Sequence, residues 1–315
     1  MAFRVVATSY GGPEVLSVVE VDLPEPGPGQ VSVQVAAAGT NPIDVKLFSG
    51  RYGTDPSQLP MPLGLEVAGV VTAVGEGAEG PAGPLRPGDE VIAYMVEGGY
   101  ASEVVTGGAT CVPRPATFTM DEASGLLLAG TTAVHALTAT GVGRGDTVVM
   151  HGAAGAVGQI AVRLAVHAGA RVIGTASARN QQWLRELGAE PVTYGPGLID
   201  RIRSLAPGGV DVALDLVGTD EALEVSVQLV GDRSRIATIA NAARGLELGI
   251  RALGAAPGAE AGAAIRDAAR MELVRQAEAG IVSVRVAATY PLAEAAEALG
   301  VLATGHAQGK IVLVP

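Results

Sequence analysis

Thr147-Val148-Val149-Met150-His151 is a short apolar strand, and Gly152-Ala153-Ala154-Gly155-Ala156-Val157-Gly158 follows it directly into Gln159 to Ala168, which reads as a helix. Strand, glycine loop and helix stand in the order that a pyrophosphate-binding turn requires. Small residues let the backbone approach a phosphate, and the free N–H groups at the helix start point at its charge. A tight turn in a chain this rich in alanine and glycine would carry the same glycines. The context separates the two readings, because the next apolar strand, Arg171 to Thr175, begins about 20 residues on, as a βαβ unit demands. Gly152, Ala153, Ala154, Gly155, Ala156, Val157 and Gly158 are therefore the expected dinucleotide cradle, and any side chain larger than alanine's at Ala153 or Gly155 should clash.

The end of the second strand reads Gly174-Thr175-Ala176-Ser177-Ala178-Arg179-Asn180. A site for NAD places Asp or Glu there to accept from the ribose hydroxyls. No acidic residue occurs between Thr147 and Arg185. Without that repulsion, Ser177 as a donor and Arg179 as a counter-charge suit a 2′-phosphate, and Tyr194 after the third strand adds a hydroxyl. The alternative for Arg179 is a solvated residue at a helix start. The cofactor expected is NADPH.

Outward from this unit, strands are expected at Pro191 to Tyr194, Val210 to Val217 and Arg235 to Ala240, with helices near Val157 to Ala168, Asn180 to Gly188 and Glu221 to Leu229. Apolar strands alternating with helices give an α/β fold, a doubly wound parallel sheet of Rossmann type, from about Asp121 onward. Leu246 to Leu253 reads as its last strand. Ala261 to Ala279 reads as a helix and Ile311 to Val314 as a terminal strand returning to the first domain. The first 120 or so residues are β-rich: Val31, Val33 and Val35 alternate with Ser32 and Gln34, and Val67 to Val74 and Glu90 to Tyr94 are further strands.

A chain of 315 residues suggests two domains. With 48% apolar and 17% charged residues it can bury a core in each and leaves little for disordered tails. The net charge of −11 argues against nucleic acid as a partner, since that affinity comes from Lys and Arg displacing counterions. Cys111 is the only cysteine, which excludes an intrachain disulfide and a four-cysteine zinc lobe. Met1 to Tyr10 has no basic segment followed by an apolar core, so a cytoplasmic location is expected. Ala123 to Gly143 lacks Asp, Glu, Lys and Arg, but its glycines, hydroxyls and His135 read as a buried helix and loop, not a membrane span. His135, His151, His167 and His306 are scattered, and no metal-ligand cluster can be read. Oxidising a simple alcohol is hard without a metal, whereas reducing an electron-poor acceptor needs only hydrogen-bond donors.

The chain closely resembles the zinc-free quinone oxidoreductases of the medium-chain dehydrogenase/reductase superfamily, the group that includes zeta-crystallin. The blocks that carry the resemblance are Tyr10-Gly11-Gly12-Pro13-Glu14-Val15-Leu16, Gly39-Thr40-Asn41-Pro42-Ile43-Asp44, Gly64-Leu65-Glu66-Val67-Ala68-Gly69-Val70-Val71, Gly88-Asp89-Glu90-Val91, Gly98-Gly99-Tyr100-Ala101, the glycine loop, and Gly309-Lys310-Ile311-Val312-Leu313. The resemblance implies a GroES-like catalytic domain of residues 1–122 completed by 258–315, a Rossmann NADP-binding domain of residues 123–257, and a homodimer joined through the Leu246 to Leu253 strand. It places Asn41 and a position near Leu65 where zinc-containing relatives carry a cysteine and a histidine ligand. It also implies that Asn41, Asp44, Lys46 and Tyr52 line the cleft and that Thr132 contacts the nicotinamide. Asn41, Lys46 and Tyr52 can each donate to an oxygen gaining charge, while Asp44 reads as structural. The family's aromatic and basic residues after Thr132 are Val134 and His135 here, and His135 reads as a core residue. The stretch Leu253 to Ala264 lacks the family's bulky residues.

The function expected is hydride transfer from NADPH to a small-molecule quinone or to the conjugated carbon of an enal or enone, with neither nucleic acid nor membrane as partner. An enoyl or enone reductase of a biosynthetic pathway would share every cofactor residue. A non-catalytic NADPH-binding structural or regulatory protein would too.

Overall fold

The computed structural model describes residues 1–305 and 307–315, so His306 lies outside the described residues. The chain divides into two compact units, one of Met1–Leu128, Arg270–Gly280 and Val284–Pro315, the other of Ala129–Ala269 and Ile281–Ser283.

In the first unit the alternation at Val31, Val33 and Val35 buries all three side chains and makes Gln30–Gly39 a central strand. Glu66–Val74 and Glu103–Gly107 pair with it antiparallel, and so does the C-terminal strand Lys310–Val314. The sheet runs Cys111–Pro113, Glu90–Tyr94, Glu66–Val74, Gln30–Gly39, Lys310–Val314, Val286–Pro291. The chain's last strand thus returns to its first hundred residues, as expected, one residue earlier than the apolar run alone indicated. Thr40 secures that return, since both its backbone N–H and its hydroxyl donate to Ile311 O, at 3.0 and 2.9 Å. Phe48, Leu63, Tyr100, Ile311 and Leu313 meet in one core.

The Asn41-Pro42 pair opens a helix, Pro42–Phe48, which was not read from the sequence. Asn41 sits extended at the N-cap, Pro42 has the φ a first helical turn needs, and the Asp44 carboxylate accepts the Asn41 N–H at 2.9 Å.

The second unit holds a parallel sheet, of six strands among the described residues, ordered Glu190–Thr193, Arg171–Ala176, Thr147–His151, Val212–Asp215, Ile236–Thr238, Arg251–Ala252. Counted along the chain this is 3-2-1-4-5-6, the doubly wound order with its switch point beside the first strand. Thr147–His151 has the expected bounds, with Thr147 opposite Arg171 and His151 opposite Thr175. Three other strands are shorter than the apolar runs that announced them. Val212–Asp215 stops because the Asp215 carboxylate accepts the N–H groups of Val217 and Gly218 and bends the chain. Ile236–Thr238 stops because the Thr238 hydroxyl accepts from Ala240 and Asn241.

The third correction concerns Leu246 to Leu253, which is not a continuous strand. Ala242–Glu247 is helical, capped by the Asn241 side chain on Arg244 N–H, and only Arg251–Ala252 joins the sheet. The outer edge there is already used in part, because Ala252 O accepts the Glu260 N–H at 2.8 Å. A helix at Leu198–Leu205, entered through left-handed Gly197 and burying Leu198 and Ile202, was not read from the sequence. Within residues 123–143 the helix is Leu127–Ala139. Among the described residues no helix is long and apolar enough to cross a membrane.

Candidate active site

The glycine loop joins strand Thr147–His151 to helix Ala156–His167 at the carboxyl end of the parallel sheet. Gly152 is left-handed, with φ +72°. Its N–H donates to the Thr175 hydroxyl at 3.3 Å, Ala153 N–H donates to Thr175 O at 3.1 Å, and the buried Gln159 amide donates to Ala154 O at 3.2 Å. The loop is therefore tied to the neighbouring strand and to the first turn of its own helix. No side chain caps the helix at Gly155 and no acidic residue stands in its first turn, so its unpaired N–H groups and positive dipole end are open to an anion.

The small residues of the loop fall into two kinds. A Cβ on Gly158 would lie 2.6 Å from backbone atoms of Gly152 and Ala153. A Cβ on Gly174, on the next strand, would lie 2.9 Å from that of Ala153. Packing therefore forbids larger residues at Gly158 and Ala153. At Gly155 the nearest atom to an added Cβ is Gly152 O at 3.4 Å, an ordinary contact. An alanine at Gly155 would therefore meet no clash from the protein itself, unlike one at Gly158.

Ser177 follows the second strand with its Oγ buried and without a hydrogen-bond partner among the described residues. Arg179 is exposed in the turn after it, and Tyr194, 56% exposed, follows the third strand. All three stand at carboxyl ends of adjacent parallel strands, the side where such sheets bind ligands. Thr132 is buried, and its hydroxyl accepts from Arg266 Nη1 at 3.0 Å. His135 is buried with its ring against left-handed Gly262, and burial first, then the Arg266 charge, holds its pKa below the ordinary value. His151 is buried at the root of the loop, and burial lowers its pKa to about 4, so the ring is neutral at pH 7.

The first unit gathers a buried polar network around Asn41. Lys310 Nζ donates to Asn41 Oδ1 at 2.6 Å and to Thr40 O at 3.1 Å, and lies 3.5 Å from Glu66 Oε2. The other Glu66 oxygen accepts the N–H groups of Leu127 and Leu128. Asn41 Nδ2 donates to Gly39 O at 3.1 Å. Burial lowers the Lys310 pKa and raises that of Glu66, and each charge opposes the other's shift.

Lys46 is half-buried in the last turn of helix Pro42–Phe48, and burial first, then Arg51, lowers its pKa. Tyr52, 38% exposed, has its pKa raised by burial and remains an O–H donor at pH 7. Both share one short segment with Asn41, yet no hydrogen bond among the described residues joins either side chain to it. Among the described residues no group of three His, Cys, Asp or Glu side chains could hold a metal.

Comparison with known proteins places this geometry. The description "Alcohol dehydrogenase GroES-like domain" matches residues 27–142 and "Zinc-binding dehydrogenase" matches residues 156–276. A quinone oxidoreductase of Salmonella typhimurium is 33% identical over an alignment that covers 100% of both chains. The chain belongs to the quinone oxidoreductase family of the medium-chain dehydrogenase/reductase superfamily. Among solved members, the Escherichia coli quinone oxidoreductase complexed with NADPH is 29% identical, covers 99% of this chain and 100% of its own, and superposes with a TM-score of 0.86. The CurK enoyl reductase, 25% identical over 99% of both chains, also superposes at 0.86.

Sequence reasoning assigned no role to Glu66 and Lys310, which join the polar network around Asn41, or to Arg266, which donates to Thr132. For Lys310 a signal existed: a lone lysine heads the apolar run Ile311-Val312-Leu313-Val314, and an internal strand has no water for it. Arg266 lies in helix Ala263–Glu278 with several other charged residues and gave no such signal.

Proposed function

We propose that this family member is a zinc-independent reductase that transfers a hydride from NADPH to a quinone or to the conjugated carbon of an enal or enone. In this reading residues 123–257 bind the cofactor, and residues 1–122 with 258–315 form the catalytic domain. The observation that carries it is the uncapped start of helix Ala156–His167, where Gly155 leaves space the protein does not fill and no acidic residue stands in the first turn. Gly152 to Gly158 would hold the pyrophosphate. The unpartnered Ser177 hydroxyl, the Arg179 guanidinium and the Tyr194 hydroxyl would take the 2′-phosphate, and Thr132 would touch the nicotinamide. When bound, NADPH supplies the hydride. The remaining Asn41 N–H, the Lys46 ammonium and the Tyr52 hydroxyl would hold the acceptor oxygen as it gains charge. Lys46, with its pKa lowered, gives up a proton more readily than a solvated lysine. The single proton that completes the reduction would come from water or the ribose, with Lys46 able to pass it on. Zinc independence is supported by charge, since an ammonium 2.6 Å from Asn41 Oδ1 repels a second cation at that oxygen.

The likeness to the CurK enoyl reductase favours a second reading, reduction of an enoyl thioester or enone in a biosynthetic sequence. A panel of ortho-quinones, para-quinones, alkenals and an enoyl thioester, followed by NADPH absorbance, separates the two by kcat/KM. Tight NADPH binding with no turnover on any acceptor would support a non-catalytic binding protein and overturn the enzyme reading.

A further inference from the structure

Asn41 and Lys310 stand 269 residues apart in the chain and meet because the last strand pairs with Gln30–Gly39. Left-handed Gly309, where a Cβ would lie 2.2 Å from Arg285 O, sets the start of that strand. Gly125 clears the path of the lysine stem, since a Cβ there would lie 2.6 Å from Lys310 Cγ. The ammonium is buried with three oxygen neighbours, Asn41 Oδ1, Thr40 O and the Glu66 carboxylate. An ammonium only donates, so it accepts only one of the two flips of the Asn41 amide, the one with oxygen toward it. Gly39 O then takes one Nδ2 hydrogen. A single N–H remains, with no acceptor among the described residues.

We infer that Lys310 is a positioning residue: it locks the Asn41 carboxamide in one orientation and polarises it, so that the one remaining Nδ2 hydrogen is presented to the acceptor oxygen. The inference rests on the proposed role of Asn41 as a holder of that oxygen. Glu66 lies 3.5 Å from Lys310 Nζ, where its charge opposes the effect of burial on the ammonium, and it holds the start of helix Leu127–Ala139 through two N–H groups. The three residues form a relay of orientation, from carboxylate to ammonium to amide, with only the amide reaching the substrate.

The test compares Asn41→Ala, Lys310→Met, Lys310→Arg, the double variant Glu66→Gln/Lys310→Met and the double variant Asn41→Ala/Lys310→Met, each checked for folding by thermal melt. Acceptor kinetics are measured with para-benzoquinone and NADPH affinity by fluorescence titration. Asn41→Ala should lower kcat by about 100-fold, as loss of a charge-stabilising donor does. Lys310→Met should lower kcat at least tenfold with NADPH affinity unchanged within twofold, and Lys310→Arg should recover most of that loss. Glu66→Gln/Lys310→Met, which removes both buried charges, keeps the test alive if Lys310→Met alone does not fold, and it should remain slow. Lys310→Met should slow Asn41→Ala no further. A slow Asn41→Ala beside a Lys310→Met of wild-type kcat overturns the inference, as do independent, multiplying losses in the double variant. An Asn41→Ala of wild-type rate overturns the role of Asn41 itself, and the inference with it.

Discussion

Asp44 accepts the Tyr100 hydroxyl at 2.6 Å and the Asn41 N–H at 2.9 Å on one oxygen, while its other oxygen has no partner among the described residues. Burial is the largest influence on this carboxyl and raises its pKa from 3.8 to about 6, against the pull of Tyr100, Asn41 and Lys310. The folded state therefore holds the proton more tightly than the unfolded chain. Between pH 4 and 6 it binds more protons, so this group's contribution to stability is full below pH 4 and is lost as pH rises to 6, by about 3 kcal/mol in all. Asp44→Asn keeps the shape, and its amide oxygen can keep both bonds. Denaturant titrations from pH 3.5 to 7.5 should show wild type losing stability relative to the variant across pH 4 to 6, with a constant difference outside it. Two parallel curves would refute the raised pKa. At this scale the reading of Asp44 as structural agrees with its place in the fold, where it holds the backbone N–H of Asn41, only three positions away. For Lys310 only burial was legible, from its place at the head of an apolar run; its partners were not, because Glu66 and Asn41 lie far off in the chain.

At the scale of elements, the strand, loop and helix from Thr147 to His167 were readable because each part is set by neighbours within a few residues. The loop also makes a prediction that separates packing from binding. Gly158→Ala should destabilise the protein by about 1–3 kcal/mol, since its Cβ meets backbone at 2.6 Å. Gly155→Ala should melt like wild type, because the protein leaves room for it, yet lose at least tenfold in NADPH affinity, about 1.4 kcal/mol. Thermal melts and fluorescence titration read the two effects. Unchanged NADPH affinity in Gly155→Ala would remove the cradle from this loop. Where elements were misread, short side-chain caps were the cause. Asp215 and Thr238 each turn the chain before its apolar run ends, and Asn241 caps a helix that overlaps the run Leu246 to Leu253, whereas hydrophobic patterning counts only apolar residues. Helix Pro42–Phe48 was readable in principle, since Asn-Pro followed by an acid three residues after the Asn is a helix-start signal.

At the scale of the molecule, the two units have separate cores, one around Tyr100 and Ile311 and another around Val149 and Ile173. A ligand that binds one unit stabilises that unit by mass action, about 2.7 kcal/mol at 100 times its Kd. Hydrogen exchange with NADPH at that level should slow the amides of the parallel sheet by up to about 100-fold, and NADH at equal concentration should do much less. Equal protection by NADH would refute the preference for a 2′-phosphate. By itself the sequence determined the α/β class, the glycine loop, the missing acid after the second strand and the absence of a readable metal-ligand cluster. Each of those follows from residue identities and short-range periodicity, which a chain carries before it folds. Only the tertiary structure decided which small residues of the loop are demanded by packing, where the strands end, and that Asn41 is gripped by Lys310. Those outcomes depend on strands distant in sequence lying side by side, and on buried charges that must find partners once water is excluded.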